Sequence, residues 1–247
     1  MKKTIIFSMS ILFILLLCAA EPSLAGPGGK IATAVATTFW GKFFLGLLII
    51  LFLPLIFYVI IREKLAERRA RKDLRFMASY SATFEWLKIM ERAKDCFYRV
   101  HSSWEQEDLS AVTSWMTDWY WQNQQIVHLN RWQREGLVNI CQVEKITNIK
   151  PLLFVHRNRG DDHEDSMVVL SINAKMKDYL QNKASNEIVE GDKSVKEVET
   201  IWSFTLEKGA WKVSEIEEGS MSLAYAKMVR ELPPIETTLS PAIKEGA

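Results

Sequence analysis

Between Leu55 and Glu135 the sequence has neither glycine nor proline. That excludes tight turns and favours helices over the first third of whatever folds there. Cysteine is nearly absent. Cys18 falls in a leader-like segment, and Leu17 before it is too bulky for a lipidation box; Cys96 and Cys141 remain, in no CxxC spacing. This pattern excludes a zinc site and predicts two free thiols in a reducing compartment. The formal net charge is only +1, which gives no electrostatic case for nucleic acid. Neither a P-loop, nor GxGxxG, nor a GxSxG nucleophile elbow occurs.

What is present begins with a run that has no charge at all, Phe43 to Ile61. As a helix it would be roughly 29 Å long, the thickness of a bilayer's hydrocarbon core. Trp40 and Tyr58 lie near its two ends, where amphipathic rings favour the interface, and Lys42 can snorkel outward. Residues 39–61 are therefore predicted to span a membrane, with a kink at Pro54. Ahead of the span, residues 1–25 combine Met1-Lys2-Lys3, an apolar stretch and Ser23-Leu24-Ala25, the pattern of a secretory signal or, uncleaved, of a first hydrophobic helix. Residues 26–38 are a Gly/Ala/Thr linker.

Behind the span, residues 62–78 read as a basic juxtamembrane linker. It holds Arg62, Lys64, Arg68, Arg69, Arg71, Lys72 and Arg75 against Glu63, Glu67 and Asp73. Excess Lys/Arg beside a span marks the cytoplasmic side, so the rest of the chain is expected there, at a bacterial inner membrane. The same seven residues are the candidate contacts for anionic headgroups, at about 1 kcal/mol each near the surface.

From residue 79 to 230 one α+β domain is expected. Trp86, Ile89, Met90, Ala93, Phe97, Val100 and Trp104 repeat at helical spacing, with Thr83 as N-cap. A second helix is predicted from Glu107-Asp108 through Met116, and a third over 118–134 with Gly136 past its end. The period then shortens. Val138–Val143 and Leu152–Val155 are strand material interrupted at Lys150-Pro151, implying a bulge or an edge. Val168 to Met176 alternates as a half-buried strand, and residues 181–194 are a polar loop. Val198–Leu206 and Trp211–Glu215 form a hairpin around Glu207-Lys208-Gly209. A short helix follows over 222–231, and residues 231–247 are expected to be a disordered tail. Helices first and antiparallel strands after them predict helices packed on one face of a curved sheet.

The helix Phe84-Glu85-Trp86-Leu87-Lys88-Ile89-Met90-Glu91-Arg92-Ala93-Lys94, running on to Val100, and the junction Ser103 to Leu109 resemble a known pattern. Apolar positions surround an Ala-Lys pair, and an aromatic, acidic, Asp-Leu junction follows. With Val198–Phe204 and Trp211–Glu217 as the closing hairpin, residues 79–230 are similar to the Tim44-like domain, found at the C-terminus of the mitochondrial import-motor tether and in bacterial relatives. The resemblance implies the nuclear-transport-factor-2-like superfamily, whose cone of helices and curved sheet encloses an apolar pocket. Trp86, Met90, Phe97, Trp104, Trp115, Trp202 and Phe204 are the residues expected to line it. It also implies a membrane-tethered binding domain; with no catalytic signature in the sequence, a non-enzymatic domain without cofactor or metal is expected. Its expected partners are anionic lipid and a protein of a transport or assembly machine, with a homo-oligomer compatible. The mitochondrial members recruit a chaperone through a long region before the domain. Here that space holds a leader, a span and a basic segment, so that role is not carried over.

Two other readings stay open. One is a subunit of a type IV-like secretion apparatus, which would place the domain in the periplasm. The other is an enzyme of the same fold, with His101 or His128 as base beside an aspartate such as Asp95. Asp161-Asp162-His163-Glu164-Asp165 looks metal-binding, but it lacks the alternating spacing of a calcium loop and reads as a solvated turn. Arg159-Gly160-Asp161 spells an adhesion tripeptide, meaningless on a cytoplasmic face.

Overall fold

The computed structural model describes residues 38–157 and 163–239. The leader, most of the linker, the adhesion tripeptide and the last eight residues lie outside them. The chain divides into two compact units, up to Ile60 and from Ile61 onward.

Helix α1 covers Phe39–Ala78, 40 residues with Pro54 inside it. Its apolar stretch is long enough to cross a membrane, and only 6% of that window is buried. Exposed Phe44, Leu51, Phe57 and Ile60 are tolerable only in an apolar surround.

In the second unit the residues after Ile61 correct the sequence reading: 62–78 are not a linker but the continuation of α1. Ala66, Ala70, Leu74 and Met77, spaced at helical intervals, are all 2% exposed or less. A polar network fastens the same stretch. Glu63 accepts from Lys150 Nζ at 3.0 Å and from Ser222 Oγ at 2.6 Å. Lys150 also reaches Glu199 at 3.4 Å, and Ser171 Oγ donates to Glu199 at 2.5 Å.

Helix α2 (Trp86–Glu105) buries Ile89, Ala93, Phe97 and Val100 as the spacing predicts, and Cys96 beside them. Its start differs. Ser81, not Thr83, caps a 3₁₀ turn over Ala82–Phe84, and α2 begins behind Glu85 without a side-chain cap. The helix expected from Glu107 does not form. Asp108 Oδ1 accepts from the Ser110 amide at 2.8 Å, an Asx turn that competes with helix. Thr117 N then donates to Val213 O, drawing the segment onto the sheet. The third helix is present in pieces: α3 (Asp118–Gln124), a π turn (Gln125–Leu129) and α4 (Asn130–Glu135). Gly136 ends it at φ +66°, the left-handed conformation glycine adopts without strain.

The sheet is antiparallel, in the order β1 (Leu137–Val155), β2 (Met167–Asn182), β3 (Ile188–Glu207), β4 (Ala210–Glu218). Pro151 sits on edge strand β1 at a register shift, where its missing N–H costs least. Strand β2 is buried on both faces from Val168 to Ile172, not half-buried, because a second small core closes the far side. There Leu152, Leu153, Val169 and Ile201 meet Tyr225, from helix α5 (Ser222–Met228), along with Val229 and Leu232. The polar loop shrinks to a turn, since β3 starts at Ile188. The tail expected to be disordered packs as far as it is described: Ile235 and Leu239 are 4% and 5% exposed, and Arg69 bonds Pro233 O.

Trp202 is fully buried, with Phe97 at 5.1 Å and Phe204 at 6.3 Å between ring centroids. Trp119, by contrast, is 69% exposed. Trp202→Ala is expected to cost about 3–5 kcal/mol in denaturant unfolding, and Trp119→Ala less than about 0.5.

Candidate functional site

Strand β4 pairs with β3 only from Thr200–Glu218 to Glu207–Ala210. The first part of β3 and the adjoining ends of β1 and β2 extend beyond it, and α3, the π turn and α4 arch over them. A cavity of about 440 Å³ remains between the two layers. The helices supply Trp104, Tyr120, Gln124, His128 and Trp132; the strands supply Asn139, Asp178, Tyr179, Leu180, Glu190, Gly191 and Ile216. Gly191 is required where it is: φ is +79°, and a Cβ would lie 2.5 Å from Asp178 O.

Every charged side chain on this wall is a carboxylate. Burial pushes the Asp178 carboxyl up, its bond to Cys141 pulls it down, and the Glu190 charge pushes it up again. His128 is lowered, first by burial and then by Arg131, so it is a neutral ring at pH 7.

Beneath the cavity His101 Nδ1 lies 2.9 Å from Cys141 Sγ, and Cys141 faces Asp178 across the β1–β2 pairing. A histidine, a thiol and a carboxylate in line suggest a nucleophile, but the electrostatics oppose it. Burial drives His101 down to about 3 and the Cys141 thiol far above its ordinary value. Phe97, Trp104 and Trp202 rings surround the imidazole at 4.3, 5.3 and 5.7 Å. An active thiolate needs a depressed thiol and a charged imidazole. Here both are held neutral, so the pair packs the core. Asp95 is exposed and makes no pair with His101.

The candidate pocket residues scatter. Only Trp104 lines the cavity under the arch. Trp86 lines a smaller one of about 300 Å³ with Arg71 and Arg75. Met90 and Trp115 pack at the core's edge, where Arg92 stacks on Trp115 at 3.6 Å. Phe97, Trp202 and Phe204 are solid core and line neither of these two cavities, which corrects the expectation for them. Tyr120, Trp132, Asp178 and Glu190 were missed, because no spacing in the sequence reveals that β4 stops short.

The candidate lipid contacts also divide. Arg62 is only 6% exposed, on the buried face, which corrects its assignment. Lys64 and Arg71 pair with Glu67 at 2.9 Å each, and Arg69 with Asp73 at 2.6 Å. Arg68, Lys72 and Arg75 are exposed, and among the described residues they make no ion pair.

His163 of the acidic turn is buried, its Nδ1 3.0 Å from His156 Nε2; His156 Nδ1 is 2.7 Å from Thr238 Oγ1. Among the described residues no group of three metal-ligating side chains forms, and Asp161 and Asp162 lie outside them.

His101 and His156 are both depressed, to about 3 and about 4, from an unfolded value of 6.5. The unfolded chain therefore binds more protons below that value, and the stability these rings contribute is lost as pH falls through 6.5 toward 4. Thermal unfolding should show a falling melting temperature across that window. His156→Gln should flatten part of it.

No curated protein matches the chain. Among solved structures, the intermembrane space region of the chloroplast protein ARC6 matches at 13% identity and a TM-score of 0.30, over 49% of this chain and 91% of that one. The family model of the Tim44-like domain matches residues 70–218, which contain α2, the helical arch, all four strands and the cavity they enclose. By that match over more than half its length, the chain belongs to the Tim44-like domain family.

Proposed function

We propose that this protein is a membrane-anchored, non-enzymatic binding domain. It faces the cytoplasm of a bacterial cell and holds a protein partner of a transport or assembly machine beside the inner membrane. The observation that carries this reading is the sorting of charge along α1 beyond its apolar stretch. Arg68, Lys72 and Arg75 recur at intervals of four and three, so they form one exposed cationic stripe. The residues on the opposite face, Ala66, Ala70, Leu74 and Met77, are core. Among the described residues, only this stripe of the seven basic residues is unpaired at the surface, and it follows the span directly in sequence. It supplies both the positive-inside signal and a contact for anionic headgroups. The neutral His101–Cys141 pair supports binding over catalysis.

Topology tests the orientation. Reporters active only inside or only outside the cytoplasm, fused to the end of the full chain, should respond on the cytoplasmic side. A periplasmic response would sink the orientation and favour the secretion-subunit reading. For the lipid contact, Arg68→Gln, Lys72→Gln and Arg75→Gln together should weaken binding of the domain to anionic vesicles by about 3 kcal/mol. Binding to zwitterionic vesicles should not change.

A further inference from the structure

We propose that the cavity between the helical arch and the far end of the sheet is a site for an organic cation, an alkylammonium or guanidinium head on an apolar stem. This does not rest on the membrane orientation or on the lipid contact. Three features of the wall carry it.

The first is charge. Asp178 and Glu190 come from adjacent strands into one cavity, and no lysine or arginine lines it. The Glu190 charge raises the cost of ionising Asp178. A cation in the cavity relieves that repulsion. A fatty acid or a phosphate headgroup would add to it.

The second is the rings. Trp104, Trp132 and Tyr120 present π systems around the same space, and such faces attract cations, most strongly when water is displaced. His128 belongs to the same wall and is held neutral, so it does not oppose the charge.

The third is size. A volume of about 440 Å³ suits an organic ligand, larger than a bare ion requires. Leu180 and Ile216 give the stem an apolar surface. The donor set does not suit a metal ion: two carboxylates find no third His, Cys, Asp or Glu within the same group among the described residues.

Free amines and the basic side chains of a protein carry the same head, and the test separates them. Full-length protein in a neutral detergent is titrated with n-butylammonium, 1-butanol and butyrate, followed by saturation-transfer NMR. Butylammonium should bind at least about tenfold more tightly than butanol, about 1.4 kcal/mol, and butyrate more weakly than either. Asp178→Asn with Glu190→Gln should remove the preference. Glu190 is exposed, so Glu190→Gln alone keeps the fold and should itself reduce the preference about threefold. N-acetyl-lysine methylamide binding more tightly than butylammonium would identify a protein side chain as the source. The reverse order would identify a free amine. Equal binding of the amine and the alcohol, tighter binding of butyrate, or a preference that survives both substitutions would overturn the proposal.

Discussion

The structure depends on a mismatch of strand lengths. β3 has 20 residues and β4 has 9, so β3 pairs with β4 only from Thr200 onward and more than half of it has no partner on its outer side. Where all four strands are paired, one amphipathic helix covers them: α2 lays Phe97 against Trp202 and adds Val100 to the same core. Beyond that point the sheet continues while the cover changes. The arch of α3, π turn and α4 turns its exposed side, with Trp119 and Ile126, to solvent, and it roofs the strand ends at a distance. The cavity follows from this. It is what a close-packed interior becomes where one layer runs past the element that should fill against it.

The continuation of α1 beyond the apolar stretch is held by a different balance. Alanines at 66 and 70 let the helix approach closely, and Leu74 and Met77 then fill the core. Because an unpaired buried charge is costly, most charges on this helix are paired or turned outward; the exception is Arg62, buried with its Nε unpartnered among the described residues. Arg69 with Asp73, Lys64 and Arg71 with Glu67, and Glu63 with Lys150 are the paired ones. For Lys150, burial favours the neutral form, but bonds to Glu63 and Glu199 prevail and raise its pKa. Most of the basic run thus serves the domain's own stability, and only a stripe of it is available to a surface outside the protein.

Geometry and reactivity separate at His101 and Cys141. A sulphur 2.9 Å from an imidazole nitrogen, with an aspartate beyond it, has the distances of a catalytic array. Three aromatic rings around the imidazole remove the solvent that would stabilise an ion pair, so proton transfer from thiol to ring is uphill. The carboxylates on the cavity wall face open space, and it is they, with the neutral rings beside them, that give this domain its chemical character.

Periodicity in the sequence was enough for the apolar helix, the amphipathic α2, the edge position of Pro151 and the turn at Lys208-Gly209. Each of these is set by neighbours within one or two turns of chain, where side-chain spacing and backbone preference act directly. The α+β order followed from the change of period near Gly136. Local signals failed where distant residues decided. Glu107 to Met116 has helical spacing, yet Val213 draws it onto the sheet; the tail looks solvated, yet Ile235 and Leu239 find core positions. The candidate site belongs wholly to this second class. Tryptophans look alike in sequence whether they fill the core, as Trp202 does, or wall a cavity, as Trp132 does. Which they do depends on where a strand some eighty residues away ends, and burial is a property of that three-dimensional fit, which no local pattern encodes.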